Sequence, residues 1–203
     1  MKVRNDFVTN SSSSSFIIQK QDVASHEIAD EVFQAIKDAY AEYKLALEEA
    51  TKYVEHLSKK SKKFKGAAIV EEYGCPKLAI PEAFKEDSIN DWLDIKWELE
   101  DKIEEKFGVS LYDSFNSQSW DKLMQCEKYK DLDQNIFEIV ALDDPFNRDV
   151  REELAYWYEE DGWDNLVLPG AVAVYAEEPG LRAPALVYKK LEAMSILYCT
   201  HMG

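Results

Sequence analysis

The chain is poor in the residues that carry most enzyme chemistry. Its 203 residues include only three cysteines and three histidines. Cys75, Cys126 and Cys199 are odd in number, far apart and form no C-x-x-C pair, which argues against a disulfide framework or a zinc site. His26, His56 and His201 share no metal-ligand spacing. The first two are separated by about 45 Å along any helix that holds both. Cys199-Thr200-His201 could bring a thiol and an imidazole together, but a chain terminus frays more readily than it positions a catalytic pair. Glycine-rich phosphate loops and a G-x-S-x-G elbow are both missing. No apolar run approaches the roughly 18 residues that span a bilayer, and Met1–Lys20, with Arg4, Asp6 and Asn10, does not read as a secretory leader. These absences predict a cytoplasmic, non-enzymatic protein without cofactor or bound metal.

Positive charge is also scarce. Lys and Arg total 24 against 40 Asp and Glu, a net charge of −16. Nucleic acid and anionic membranes would repel such a surface, whereas a basic protein or a cation would be drawn to it. Solubility alone is the plainer reading of the same charge. Five Trp, nine Phe and eleven Tyr, with 46% hydrophobic residues, point to a folded chain with a real core.

The stretch that organises the sequence runs from about Ser25 to the lysines near Lys63. Ala29, Phe33, Ile36, Tyr40, Tyr43, Leu47, Ala50, Val54 and Leu57 alternate at spacings of four and three, the a/d pattern of a heptad repeat. No Gly or Pro interrupts it, and Ala, Glu, Lys and Leu fill most other positions. Asp22 or Ser25 would cap its start, and Gly66 would stand at C′ after Lys59, Lys60, Lys62 and Lys63. That lysine cluster suits the negative end of the helix dipole. Its functional alternative is anion binding, and a third use is docking on the protein's own acidic surface.

Ahead of the helix, Val3–Val8 and Phe16–Gln19 read as short strands flanking five serines, Ser11–Ser15. The serines suit a flexible or hairpin connection; anion cradling and phosphorylation are the alternatives. The string Arg4-Asn5-Asp6-Phe7-Val8-Thr9-Asn10, the five serines and Phe16-Ile17-Ile18 resembles a recurrent N-terminal signature. That signature heads small, mostly uncharacterised proteins of Gram-positive gut bacteria and their mobile elements. The resemblance covers about the first 18 residues, and it implies little about activity because the remainders of such proteins differ.

Beyond the long helix, Ala67–Val70 reads as a strand closed by Gly74-Cys75-Pro76. A second helix extends from Ser88 to Gly108, with Trp92 and Trp97 at near-opposite azimuths, one for the long helix and one for a sheet. Val109–Ser119 reads as loop and Trp120–Tyr129 as a short helix. Asn135–Leu142 is the clearest strand, and Asn147 caps a helix through Val150, Leu154, Trp157 and Tyr158. Asn165–Leu168, Ala171–Ala176 and Ala185–Leu197 read as β-rich. The expected fold is α+β in a single domain over 1–203: one long heptad-patterned helix and shorter helices on a small, mainly antiparallel sheet. Its segments are 1–20, the long helix 22–66, a mostly helical 67–164 and a β-rich tail 165–203.

Two acidic groups are the candidate sites. Asp143 and Asp144 follow the clearest strand, and Glu159, Glu160, Asp161 and Asp164 surround the next turn. They predict a partner-binding acidic surface, with metal-assisted chemistry at Asp143 and Asp144 as the alternative. Asp131-x-Asp133-x-Asn135 begins like a calcium loop, but Ile136 stands where that loop needs Gly. The leading expectation is an acidic monomer that binds a basic macromolecule, as an inhibitor occupying the nucleic-acid channel of a host enzyme. A metal-dependent enzyme and a coiled-coil adaptor are the other readings.

Overall fold

The computed structural model describes residues 14–72, 75–79, 81, 89–111, 117–132, 137–149, 152, 170–176, 185–195 and 197–200. Its spine is α1, Ser25–Lys60, 36 residues and about 54 Å long. Ala29, Phe33, Ile36, Tyr40, Tyr43, Ala50 and Val54 are buried along it, and Leu47 and Leu57 pack partly against the same core. Ile28, Val32 and Ala39 are buried too, so the covered face is the wide stripe of a globular helix. The helix ends earlier than the lysine run suggests, with Ser61 N–H donating to the Leu57 carbonyl. Gly66 lies beyond it in a turn at φ 84°, where a Cβ would come within 3.0 Å of Pro81.

The chain then returns along this spine. A hairpin, β2 (Ala68–Glu72) with β3 (Cys75–Ala79), lies against α1. Pro76, read above as a breaker, sits within β3 opposite Glu71; a two-stranded ribbon has an outer edge that needs no N–H there. Next, α2 (Ile89–Phe107) runs antiparallel to α1. Glu98 reaches Lys63 at one end, and Phe107 meets Tyr53 edge-on at 5.5 Å near the other. Gly108, at φ 66°, donates its N–H to Glu104 and closes the helix in the left-handed conformation that suits glycine. Trp92 is fully buried, but Trp97 is 52% exposed and covers no sheet, so α2 packs by one face.

Further along α1, α3 (Ser117–Gln125) stacks Trp120 on Tyr40 at 4.8 Å, and Lys44 pairs with Asp121 at 3.0 Å. The Lys37 ammonium donates to the Cys126 carbonyl at 2.8 Å. A 3-10 turn at Tyr129–Asp131 leads to β4 (Glu138–Ala141), and Asp143 then meets Ser25 at the start of α1. Glu98, Phe107, Trp120, Cys126 and Asp143 thus meet the spine in order, from just beyond its last turn to its first.

The main sheet has the order β4-β5-β1-β6 and is antiparallel throughout, with β1 at Ser14–Gln19, β5 at Ala171–Ala176 and β6 at Leu197–Thr200. The N-terminal segment is therefore a central strand. Phe16 faces Val174 and Ile18 faces Val172, and these four join the core beneath α1. Ile17 and Ala173, on the other face, are also fully buried, which explains why β1 and β5 read as continuous apolar runs.

One β assignment is overturned. Ala185–Met194 is a helix, α4, packed on α1 and β1. Val187 and Leu191 stand four apart and are fully buried, and Tyr188 meets the Phe16 ring at 6.1 Å. The β-branched and aromatic content of this stretch carried the strand reading, but burial of one helical face decides the outcome. The predicted strands Val3–Val8 and Asn165–Leu168 lie outside the described residues. So does most of the helix predicted after Asn147, of which Arg148, Asp149 and Glu152 are helical.

Candidate functional site: the outer ridge of the long helix

Because α1 buries one face, its opposite face is fixed toward solvent. Steps of four and seven residues return to nearly the same azimuth, and Glu27, Glu31, Asp38, Glu42 and Glu49 follow those steps in order. All five are exposed. At 3.6 residues per turn they fall within an arc of about 60° and extend about 33 Å along the helix. Leu45, 64% exposed, stands on the same ridge between Glu42 and Glu49.

The basic residues of this span do not balance the ridge. Lys37 and Lys44 project from the flank that faces α3 and are held there, on the Cys126 carbonyl and on Asp121. The hydrogen bond that Lys44 donates to Asp121 is the main cause that raises the Lys44 pKa, so this lysine stays charged and engaged. Two ridge residues have contacts: Glu31 pairs with Lys20, and Asp38 accepts from Gln34 at 2.7 Å. Glu27, Glu42 and Glu49 make no ion pair among the described residues.

The sequence had pointed elsewhere for acidic sites. Asp143 faces inward to the helix start: it accepts a hydrogen bond from the Ser25 hydroxyl, and its second oxygen lies 3.4 Å from the Ser25 N–H. Ser25 is fully buried and is the first residue of α1; the residue at N-cap is Ala24, which offers no side-chain cap. A carboxylate from across the fold thus does the work expected of Asp22 or Ser25, at the positive end of the helix dipole. Asp144 turns another way. It accepts from Phe146 N–H at 3.0 Å, opening the 3-10 turn Pro145–Asn147, and its other oxygen lies 3.9 Å from the Lys130 ammonium. The two carboxylates serve different partners and do not converge. Asn147, ahead of the helical Arg148 and Asp149, donates its side-chain N–H to the Ala141 carbonyl at 2.9 Å. Glu159, Glu160, Asp161 and Asp164 lie outside the described residues.

The lysine cluster divides as well. Lys59 and Lys60 close α1, and Lys59 lies 3.8 Å from Glu55. Lys63 pairs with Glu98, which Lys102 also holds at 2.8 Å, and both ammonium groups lie about 6 Å from the Phe64 ring centroid. Hydrogen bonds from Lys102 first and Lys63 second depress the Glu98 carboxyl to about 2. Lys63 is thus docked on the protein's own acidic surface; Lys60 and Lys62 are exposed.

Among the described residues no three His, Cys, Asp or Glu side chains gather as a metal ion would require. No described helix is long and apolar enough to cross a membrane. The acidic ridge itself was readable in the sequence, since the heptad that places Ala29 to Val54 inward places Glu27 to Glu49 outward. No family model, curated protein or solved structure matches this chain.

Proposed function

We propose that the protein is a non-enzymatic acidic binding protein that presents the outer ridge of α1 to a basic surface on a macromolecular partner. In its concrete form, the ridge occupies the basic nucleic-acid channel of a nucleic-acid-processing enzyme and inhibits it. One observation carries this reading: five carboxylates lie in line over about 33 Å of rigid helix, while the neighbouring lysines are turned aside. That length is close to one turn of B-form DNA, about 34 Å. Aligned negative charge on a rigid support speeds encounter with a basic cleft and makes it salt-dependent. Leu45 supplies an apolar contact in the middle of the ridge. The N-terminal resemblance to proteins of mobile elements favours an enzyme of a Gram-positive bacterial host as the target.

The test compares three immobilised proteins in lysate of such a host: wild type, a ridge variant, and a control variant. The ridge variant carries Glu27→Gln, Glu31→Gln, Asp38→Asn, Glu42→Gln and Glu49→Gln. The control carries the same number of neutralisations at Asp94, Asp101, Glu104, Glu105 and Glu127. Wild type and control should retain the same nucleic-acid-binding protein, released by salt and by duplex DNA, while the ridge variant does not. Equal capture by all three, or capture that salt leaves intact, would refute the proposal.

A further inference from the structure

The second helix keeps one face open to solvent. Trp92, Leu99 and Ile103 of α2 are fully buried, whereas Trp97, on the far side of the same helix, is 52% exposed. Asp94, Asp101, Glu104 and Glu105 flank Trp97 within an arc of about 100°, over about 17 Å of helix. All four carboxylates are exposed, and among the described residues none of them forms an ion pair. The lysines of α2 are turned aside. Lys96 lies 3.5 Å from Glu100, Lys102 holds Glu98 at 2.8 Å, and the Lys106 ammonium stands 4.2 Å from the Tyr53 ring centroid.

This arrangement is electrostatically unfavourable in the free chain. Glu104 and Glu105 stand in the last turn of α2, at the negative end of the helix dipole. Asp101 precedes them by three and four residues, the spacings at which like charges repel across a helix surface. A cation seated on the face would relieve that repulsion and cover the indole. Trp is both the strongest aromatic partner for a cation and the side chain most enriched at the energetic centres of interfaces.

We infer that the outer face of α2 docks an arginine-bearing segment of a partner protein, with one guanidinium stacked on Trp97. Charge complementarity selects this occupant. A polyanion would meet the four unpaired carboxylates, and an apolar surface would bury them without partners. Arginine suits the face better than lysine because a planar guanidinium acts in two directions at once. Its face stacks on the indole, while its edge donates a pair of N–H groups to Asp94 or Asp101, three and four positions away on the same side of the helix. An ammonium is a compact, strongly hydrated point charge that cannot do both. Glu104 and Glu105, about two turns beyond Trp97, suit a second basic residue of the same segment. This face is separate from the ridge of α1. The control variant described above neutralises it, so capture by the ridge is read without it, and either proposal can fail alone.

Chemical-shift titration of the full chain with short peptides tests this, at physiological salt, where longer-range attraction to the ridge is screened. One peptide alternates arginine with serine; in the others lysine or the uncharged citrulline replaces each arginine. The arginine peptide should bind with a micromolar to millimolar Kd, shifting the Trp97 indole N–H and the amides of residues 94–105. By the same signals the lysine peptide should bind at least about five-fold more weakly, and the citrulline peptide should not bind. Trp97→Ala, at an exposed position, should weaken arginine-peptide binding about ten-fold, and Trp97→Phe, which keeps a ring, about three-fold. Neutralising Asp94, Asp101, Glu104 and Glu105 together should weaken it at least about ten-fold. The five-fold ridge variant, which loses one charge more, should retain it within about two-fold at these amides. Unchanged amide spectra elsewhere would show that the variants fold. No shift at millimolar arginine peptide, equal binding of the arginine and lysine peptides, or equal binding in wild type and Trp97→Ala overturns the inference. So do shifts confined to α1. Changes in the same amides with protein concentration alone would make a second copy the occupant and overturn it too.

Discussion

Removing the Asp143 carboxylate should loosen the start of the long helix. In Asp143→Ala, the Ser25 hydroxyl, fully buried, loses its acceptor. Leaving a buried donor unsatisfied costs about 1–3 kcal/mol. The first turn of α1 also loses a negative charge at its positive end, about 0.3–1 kcal/mol. Loss of an N-terminal cap typically costs about 1 kcal/mol, which overlaps these contributions. The expected total is about 2–3 kcal/mol, or a Tm lower by about 5–10 °C for a chain of this size. Asp143→Asn keeps an acceptor without the charge and should lose about 1 kcal/mol. Ser25→Ala should lose a similar amount, and the double variant should cost less than the sum, with a coupling of at least about 1 kcal/mol. Urea denaturation followed by circular dichroism, on the three variants and the double, measures all of this. If Asp143→Ala lies within about 0.5 kcal/mol of wild type, or the two substitutions are additive, the cap is not holding the helix.

Three other outcomes follow from the same geometry. Ile36→Ala, in the buried face of α1, should destabilise the chain by about 2–5 kcal/mol, and light scattering should show a monomer mass at all concentrations; a dimer that dissociates in this variant would move the seam to an interface. The Glu98 carboxyl should titrate near 2 by carbon-detected NMR and move toward 4.5 in Lys102→Met. Because its folded pKa is depressed, its contribution to stability is present above about 4.5 and is lost as pH falls toward 2. Acrylamide should quench Trp97, half exposed on α2, and leave Trp92 and Trp120 largely protected; equal quenching in Trp97→Phe and wild type would contradict the packing of α2.

The features legible in the sequence were those with long, uninterrupted periodicity. Thirty-six residues without Gly or Pro, with apolar positions every three or four, leave α1 little alternative. Phe16–Ile18 and Ala171–Ala176 were readable as strands because both sheet faces are buried. Ala185–Met194 was not, because Val187, Tyr188 and Leu191 carry the same residue types as a strand, and only their docking on α1 and β1 selects the helix. Asp143 was visible as an acidic residue after a strand, but its partner is 118 positions away and no local pattern could supply it. The outer ridge was available all along in the spacing of Glu27, Glu31, Asp38, Glu42 and Glu49.

The most direct test of the ridge as a binding face is displacement of nucleic acid from the partner it retains. A fluorescent duplex of about two helical turns, bound to that partner, would be titrated with the wild-type chain and followed by anisotropy. Wild type should release the duplex with an affinity that falls steeply as salt rises, and the five-fold ridge variant should release none over the same range. Release of the duplex by wild type and ridge variant alike, or a complex in which duplex and wild type are bound together, would contradict occupation of the channel by α1.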